Sequence, residues 1–179
     1  NNLNSYSLFN IDYEGDYNVY LNDPRNINLG KKLITDKKIL IKKERLKEIN
    51  ETEYHEILIN HTTPYSPFDI LENKSLLLEN NFDNLNAIDW DKGCYVGQEI
   101  TARMKYRGLL KKKLYALKIK SGDVLKGDEL IVDNKKIGTI VSKANSNIFA
   151  ALNINFVNEI KNKNQNLVIN DSLSFDFLN

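Results

Sequence analysis

The C-terminal part of the chain alternates between short apolar runs and single polar breaks. KKKLYALKIKSG, DELIVDN, KKIGTIVSKAN, NIFAALNINFV, NLVIND and SLSFDFLN follow one another, each closed or opened by Gly, Asn or Asp. Runs of this length, rich in β-branched and aromatic residues and broken about every 8–12 residues, predict a small antiparallel barrel or sandwich; a barrel of at least five strands is expected. The stretch NEIKNKNQN at 158–166 predicts a solvated hairpin loop within it.

The texture before residue 109 is different, so a boundary is placed there, giving segments 1–108 and 109–179. YNVYL at 17–21 alternates as a short strand does, and NDPRN at 22–26 is turn chemistry. KKLIT (31–35) and KILIKK (38–43) suit a strand or a helix. From Glu44, the spacing of Leu46, Ile49, Tyr54, Ile57 and Leu58 predicts a helix that ends near His61, before Pro64. TTPYSPFDILENKS (62–75) reads as an ordered loop, and SLLLENNFDNLNAIDW (75–90) as an apolar run, a polar turn and a return to apolar. The fold class is α+β.

Between the two textures lies DKGCYVGQEITARMKYRG, residues 91–108. Gly93 and Gly97 bracket Cys94 and predict a tight turn. GQEITARMKY then carries good helix formers, so a helix is predicted to start within two residues of Gly97. Gln98 and Glu99 fall in its first turn, and Glu99 and Arg103 stand four apart with the acid first. Cys94 thus precedes a helix N-terminus, with Lys92 two residues back; both favour a thiolate, and Glu99 opposes it.

Composition narrows the function classes. The 179 residues are 41% hydrophobic and 27% charged, as in a globular protein with a core. A net charge of +1 supplies no global field toward nucleic acid or anionic membrane. No apolar run reaches the roughly 18 residues that span a bilayer. The polar, acidic N-terminus is neither a signal peptide nor an Arg-rich transit peptide, which points to the cytoplasm, or to the mitochondrial matrix in a eukaryote. The chain begins at Asn1 without methionine, as a processed product or a fragment does. A single cysteine excludes an internal disulfide and fits a reducing compartment. It is also too few thiolates for an iron–sulfur cluster held by one chain. His55 and His61 are six apart and read as structural, so no metal site is expected. The basic run KYRGLLKKK (105–113) reads as a solvated connection, with phosphate or polyglutamate as the alternative ligand. The strands show no aromatic-and-basic face for nucleic acid. On local chemistry alone Cys94 stays open between a small buried hydrophobe and a reactive thiol.

A resemblance bears on that choice. Lys92, Gly93, Cys94, Tyr95, Gly97, Gln98, Glu99 and Arg103, with Gly108 closing the segment, resemble the signature of the YgfZ family. NDPRNINLGKK is similar to that family's Asp-Pro-Arg…Leu-Gly segment through Asp23, Pro24, Arg25, Leu29 and Gly30, with Lys32 where the family usually has Arg. The residues before the signature resemble its acidic segment through Glu79, and Gly138 and Ser142 its C-terminal Gly-x-x-x-Ser strand.

The resemblance implies a partial aminomethyltransferase-like folate-binding body followed by the barrel. It implies tetrahydrofolate as cofactor and a role in assembling or repairing iron–sulfur clusters, with apo-proteins or the assembly machinery as partners. Cys94 is then the functional thiol. Glu79 would anchor the pterin, Trp90 and Tyr95 would wall it, with Phe68 as a further wall, and Arg103, with Arg107 nearby, would meet the glutamate tail. Family members have further residues upstream, so the folate site is expected to be incomplete within these 179 residues. An accessory factor is favoured over a turnover enzyme. The alternatives are a folate-dependent aminomethyltransferase, which lacks the Lys-Gly-Cys signature, and a non-catalytic interaction module.

Overall fold

The computed structural model describes residues 4–9, 13–36, 47–93, 97–163, 165–170 and 172–178. Strands β1 (Asn4–Leu8), β2 (Val19–Asn22) and β3 (Lys31–Thr35) form an antiparallel sheet with β3 in the middle. The open choice at KKLIT is thus resolved as a strand, and β1 was not anticipated from the sequence. The turn between β2 and β3 carries Asp23 and Arg25 and closes with the Asp23 N–H donating to Gly30 O at 2.8 Å. Gly30 is required there: φ is 71°, and an added Cβ would lie 2.0 Å from Leu8 O.

Helix α1 (Glu51–Asn60) starts later than the Glu44 that the apolar spacing suggested. The physical reason is a capping box. The Asn50 side chain accepts the Glu53 N–H, and the Glu53 carboxylate accepts the Asn50 N–H, both at 2.9 Å. Residues 38–43 and Leu46 lie outside the described residues. Helix α2 (Glu99–Tyr106) begins two residues after Gly97, as the sequence predicts.

Strands β4 (Lys112–Ser121), β5 (Glu129–Val132), β6 (Lys135–Ala144), β7 (Asn147–Asn153), β8 (Leu167–Asn170) and β9 (Leu173–Phe177) make one antiparallel sheet in the order β5-β6-β7-β4-β9-β8. Its two edge strands, β5 and β8, approach each other, so the sheet curls into a nearly closed barrel. The β5–β6 hairpin turns on Asp133 and Asn134, both at positive φ (49° and 60°), the conformation a two-residue turn demands and Asp and Asn tolerate. Helix α3 (Ile154–Asn162) replaces the hairpin loop expected at 158–166. Asn153 caps it, accepting the N–H groups of Asn155 and Phe156. Val157 and Ile160, three apart, then bury one helix face against the barrel interior. The Asn- and Lys-rich composition suggested a loop, and an apolar pair at helical spacing overrode it.

Strand β7 explains how the two parts of the chain are joined. Ile148, Ala150 and Leu152 point into the barrel core with Leu117, Ile140, Leu167 and Phe175. Phe149 points outward, yet is fully buried, because α1 covers that face and packs Ile59 beside Phe149, Leu114, Ala116 and Ala144. A strand buried on both sides reads as a continuous apolar run, which is what NIFAAL is. Gly138 on β6 has no room for a side chain: an added Cβ would lie 2.5 Å from both Ala151 O and Leu152 Cδ2. Polar ties reinforce the joint. Asn147 Nδ2 donates to Asn60 Oδ1 (2.8 Å), Lys126 Nζ to Phe68 O (2.7 Å), and Asn81 Nδ2 to Leu114 O (2.8 Å).

Candidate functional site

Lys92 and Gly93 are described; Cys94 and Tyr95 lie outside the described residues, so the turn expected at Cys94 does too. What surrounds them is clear. Gly97 has φ 95° and nothing within 4 Å of the position of an added Cβ, so its glycine serves backbone conformation and not close packing. Glu99 stands in the first turn of α2, where negative charge suits the free N–H groups. Gln98 occupies the N-cap position but its side chain makes no capping bond. Helix α2 has no buried residue, so little core packing holds it. It is held at its far end instead. Lys105 Nζ lies 3.6 Å from the centre of the Trp90 ring, and Tyr106 meets that ring edge-on at 6.2 Å. A cation over an indole face contributes about 0.5–2 kcal/mol. These contacts tie the last turn of α2 to Trp90.

The acidic segment is positioned by a single 3₁₀ turn, Leu78–Asn80. Leu78 and Leu85 are buried and anchor it. Asn81 ends the turn in the left-handed region (φ 63°), where its buried amide reaches the β4 backbone at Leu114 O. Glu79 is thereby held beside the start of β4, its Oε2 3.2 Å from Lys112 Nζ. Asp83, one turn on, pairs with Lys113 at 3.5 Å. The other oxygen of Asp83 is buried with no hydrogen-bond partner among the described residues.

The Asp-Pro-Arg turn forms a third part. Asp23 is buried, and Arg25 clamps it bidentately through Nε (3.0 Å) and Nη2 (2.7 Å). Burial pushes the Asp23 carboxyl up, but the hydrogen bonds and charge of Arg25, with Lys32, outweigh this and hold it below the ordinary carboxylate value. Hydrogen bonding to Asp23 likewise raises the Arg25 guanidinium above its usual value. Asn86 Nδ2 donates to Pro24 O at 3.0 Å. This bond ties the turn to the stretch between Glu79 and the signature. Three segments that the sequence separates are therefore joined in a chain of contacts: Pro24 to Asn86, Glu79 to Lys112, and Trp90 to Lys105.

The expected folate contacts look different in detail. Glu79 is half-buried and already shares its carboxylate with Lys112. One face of Trp90 is taken by Lys105. Arg103 pairs with Glu99 on the exposed side of α2 and is not gathered toward Glu79 by any contact. Phe68 stacks on His55 at 5.0 Å and is part of the joint with the barrel, as a core aromatic is. Sequence reasoning missed Lys105, Lys112, Asn81 and Asn86. The i,i+3 and i,i+4 logic that found Glu99–Arg103 has no counterpart for pairs 15 or more residues apart.

One further polar group is structural. Asp69, 2% exposed, accepts from His55 Nε2 (2.9 Å), from the Tyr65 N–H (2.7 Å) and from Ser142 Oγ. The carboxylate sits between Ser and His, so the serine proton goes to Asp69 and not to the imidazole. That order staples α1, the 62–75 loop and β6 together; it does not activate a nucleophile. It also gives Gly138-x-x-x-Ser142 its physical meaning: a strand that needs no side chain at one end and a buried hydroxyl at the other. Among the described residues no three His, Cys, Asp or Glu side chains gather as a metal ion needs. No helix among them is long and apolar enough to cross a membrane.

Comparison with known proteins agrees with the motifs. No family model matches the chain. The chain is 31% identical over 154 residues to the mitochondrial iron-sulfur cluster assembly factor IBA57 homolog of Dictyostelium discoideum, covering 75% of this chain and 38% of that protein. It is 31% identical over 103 residues to the mitochondrial factor IBA57 of Mus musculus and 30% over 102 residues to that of Homo sapiens, covering 56% of this chain and 28% of each. The chain thus spans well under half the length of these relatives. A nearly closed antiparallel barrel with the signature helix, the acidic turn and the Asp-Pro-Arg turn in linked positions is the arrangement of an α+β protein. The chain belongs to the YgfZ family, the family of these relatives within the aminomethyltransferase superfamily.

Proposed function

We propose that this chain is part of a folate-linked accessory factor for iron–sulfur cluster assembly or repair, acting through the Cys94 thiol. The observation that carries the reading is the linked geometry of the resembling segments on either side of the signature in the chain, joined by Asn86 to Pro24 and by Trp90 to Lys105. The relatives named as iron-sulfur cluster assembly factors supply the cluster chemistry. Their names also supply a mitochondrial compartment when the source is a eukaryote; apo-proteins or assembly machinery are the partners.

Tetrahydrofolate fits at Glu79. A carboxylate offers about four acceptor sites, so Glu79 can hold Lys112 and still accept the paired N–H groups of a pterin edge. Arg103, paired with Glu99, is not proposed for the glutamate tail. The rest of an aminomethyltransferase-like body would come from residues beyond those described.

Cys94→Ala separates this from a structural role for the thiol. The variant should fold like the parent and fail to restore iron–sulfur enzyme activity in cells depleted of the full-length protein. Full restoration refutes a functional thiol. The folate part is tested separately by calorimetry with tetrahydrofolate on the full-length protein. Glu79→Gln should weaken binding by about tenfold or more, since a hydrogen bond to a charged group is worth about 1.5–3 kcal/mol. Unchanged binding removes Glu79 from the site.

A further inference from the structure

Five side chains meet where β1, β3, the Asp-Pro-Arg turn and α1 come together. Lys32 Nζ lies 3.0 Å from Tyr54 Oη, 2.5 Å from Ser7 Oγ and 3.8 Å from Asp23 Oδ2. Arg25 Nη2 reaches the same Tyr54 oxygen at 3.4 Å, and Ser7 Oγ donates to it at 3.3 Å. Lysine and arginine can only donate. Ser7 accepts from Lys32 and turns its own proton to Tyr54. Three donors therefore converge on one phenol oxygen. A neutral phenol also has a proton to give, and the acceptor beside it is Ser7 Oγ, which already takes a hydrogen bond from Lys32. Two permanent cationic donors on one phenol oxygen favour its ionised form.

Charge counting agrees. Arg25 and Lys32 face a single buried carboxylate, Asp23, which leaves one positive charge over. That surplus charge favours ionisation of Tyr54. We propose that Tyr54 ionises more readily than the other tyrosines and that its oxygen is the centre of a clasp that binds α1 to β3 and to the Asp-Pro-Arg turn.

The neighbours on every side bear this out. The nearest groups from β1 and the residue after it are Ser7 and Phe9, neither charged, with the Phe9 ring centre 6.3 Å away. β3 contributes Lys32, and the turn contributes Arg25 and Asp23, the last opposing ionisation. The 62–75 loop contributes only the Tyr65 ring, edge-on at 5.8 Å. On α1 itself Glu53 turns back to Asn50 and Lys47, Glu56 to Asn145, and His55 to Asp69; Glu51 is exposed. Burial pushes the phenol up, and the hydrogen bonds from Lys32, Ser7 and Arg25 outweigh it and bring Tyr54 below the ordinary tyrosine value.

The sign follows for an acid whose pKa is lower folded than unfolded. Its contribution is full above the free-tyrosine value of about 10 and is lost as pH falls through the folded value. Protonation therefore loosens the clasp, and with it the turn on which Asn86 and the approach to the signature rest. The device is independent of the proposed thiol and folate chemistry.

Near-ultraviolet titration of tyrosinate in the folded full-length protein tests it. One tyrosine in the region of this chain, which holds nine, should ionise ahead of the rest. That early component should vanish in Tyr54→Phe and move up toward the others in Lys32→Met. An early component that survives Tyr54→Phe, or no early component at all, overturns the proposal. Should Tyr54→Phe not fold, carbon-13 labelling of the tyrosine ring in the unaltered protein decides by NMR. One Cζ signal in the phenolate range while the others remain phenolic supports the clasp. All signals moving together overturn it.

Discussion

Removing the carboxylate of Asp69 should cost more stability than removing almost any other single polar group. Asp69→Ala leaves the His55 imidazole, the Ser142 hydroxyl and the Tyr65 N–H without their acceptor. His55 and Ser142 are 5% and 3% exposed, so water does not readily replace the lost bonds there. Each buried polar group left unsatisfied costs about 1–3 kcal/mol. The Tyr65 backbone is more open and adds little. The expected loss is therefore about 4 kcal/mol, a large part of the 5–15 kcal/mol that typically holds a domain together. Urea unfolding followed by the fluorescence of Trp90, the only tryptophan, reads it directly. With a slope near 2 kcal/mol per molar, the midpoint should fall by roughly 2 M. Ser142→Ala removes a donor without orphaning Asp69, which keeps His55 and Tyr65, so about 1 kcal/mol is expected. A loss below about 1 kcal/mol for Asp69→Ala, or equal losses for the two variants, would refute the view that this carboxylate is the centre of the joint.

Asn81→Ala should cost about 2–3 kcal/mol in the same unfolding assay, because it strains a left-handed residue and orphans the buried Leu114 carbonyl; Asn81→Gly should recover the strain part only. Gly138→Ala should destabilise by about 1–3 kcal/mol, since its Cβ meets the β7 backbone at Ala151 O as well as the Leu152 side chain; a neutral result would mean that β6 and β7 can separate freely. Lys105→Met should expose Trp90 to iodide quenching and shift its emission to the red, with a stability cost near 0.5–2 kcal/mol; unchanged quenching would show that the cation does not cover the indole.

The sequence by itself determined the elements with a local physical cause. Runs and turns fixed the barrel, because a period of two broken by Asp-Asn and similar pairs has few other solutions. Gly97 and the helix formers after it fixed α2, and the signature fixed the family. The capping box at Asn50 is equally local and sets the start of α1 where the apolar spacing alone does not. At 158–166 composition misled, because two buried residues, Val157 and Ile160, decide a helix that the polar residues around them do not.

Only the tertiary structure decided what the candidate residues touch. Glu79 was legible as an acid of interest, but its pairing with Lys112, 33 positions on, depends on how β4 enters the barrel. Asp69 lies in the 62–75 loop, and only β6 and α1 bring Ser142 and His55 to it. Tyr54 stood as a helix core residue in the sequence. Its phenol became the focus of two cations only when other elements delivered Lys32 and Arg25, with Ser7, to a single oxygen. Periodicity and caps act over a few bonds and can be read along the chain. Desolvation and ion pairing depend on distance through space, which the fold alone sets.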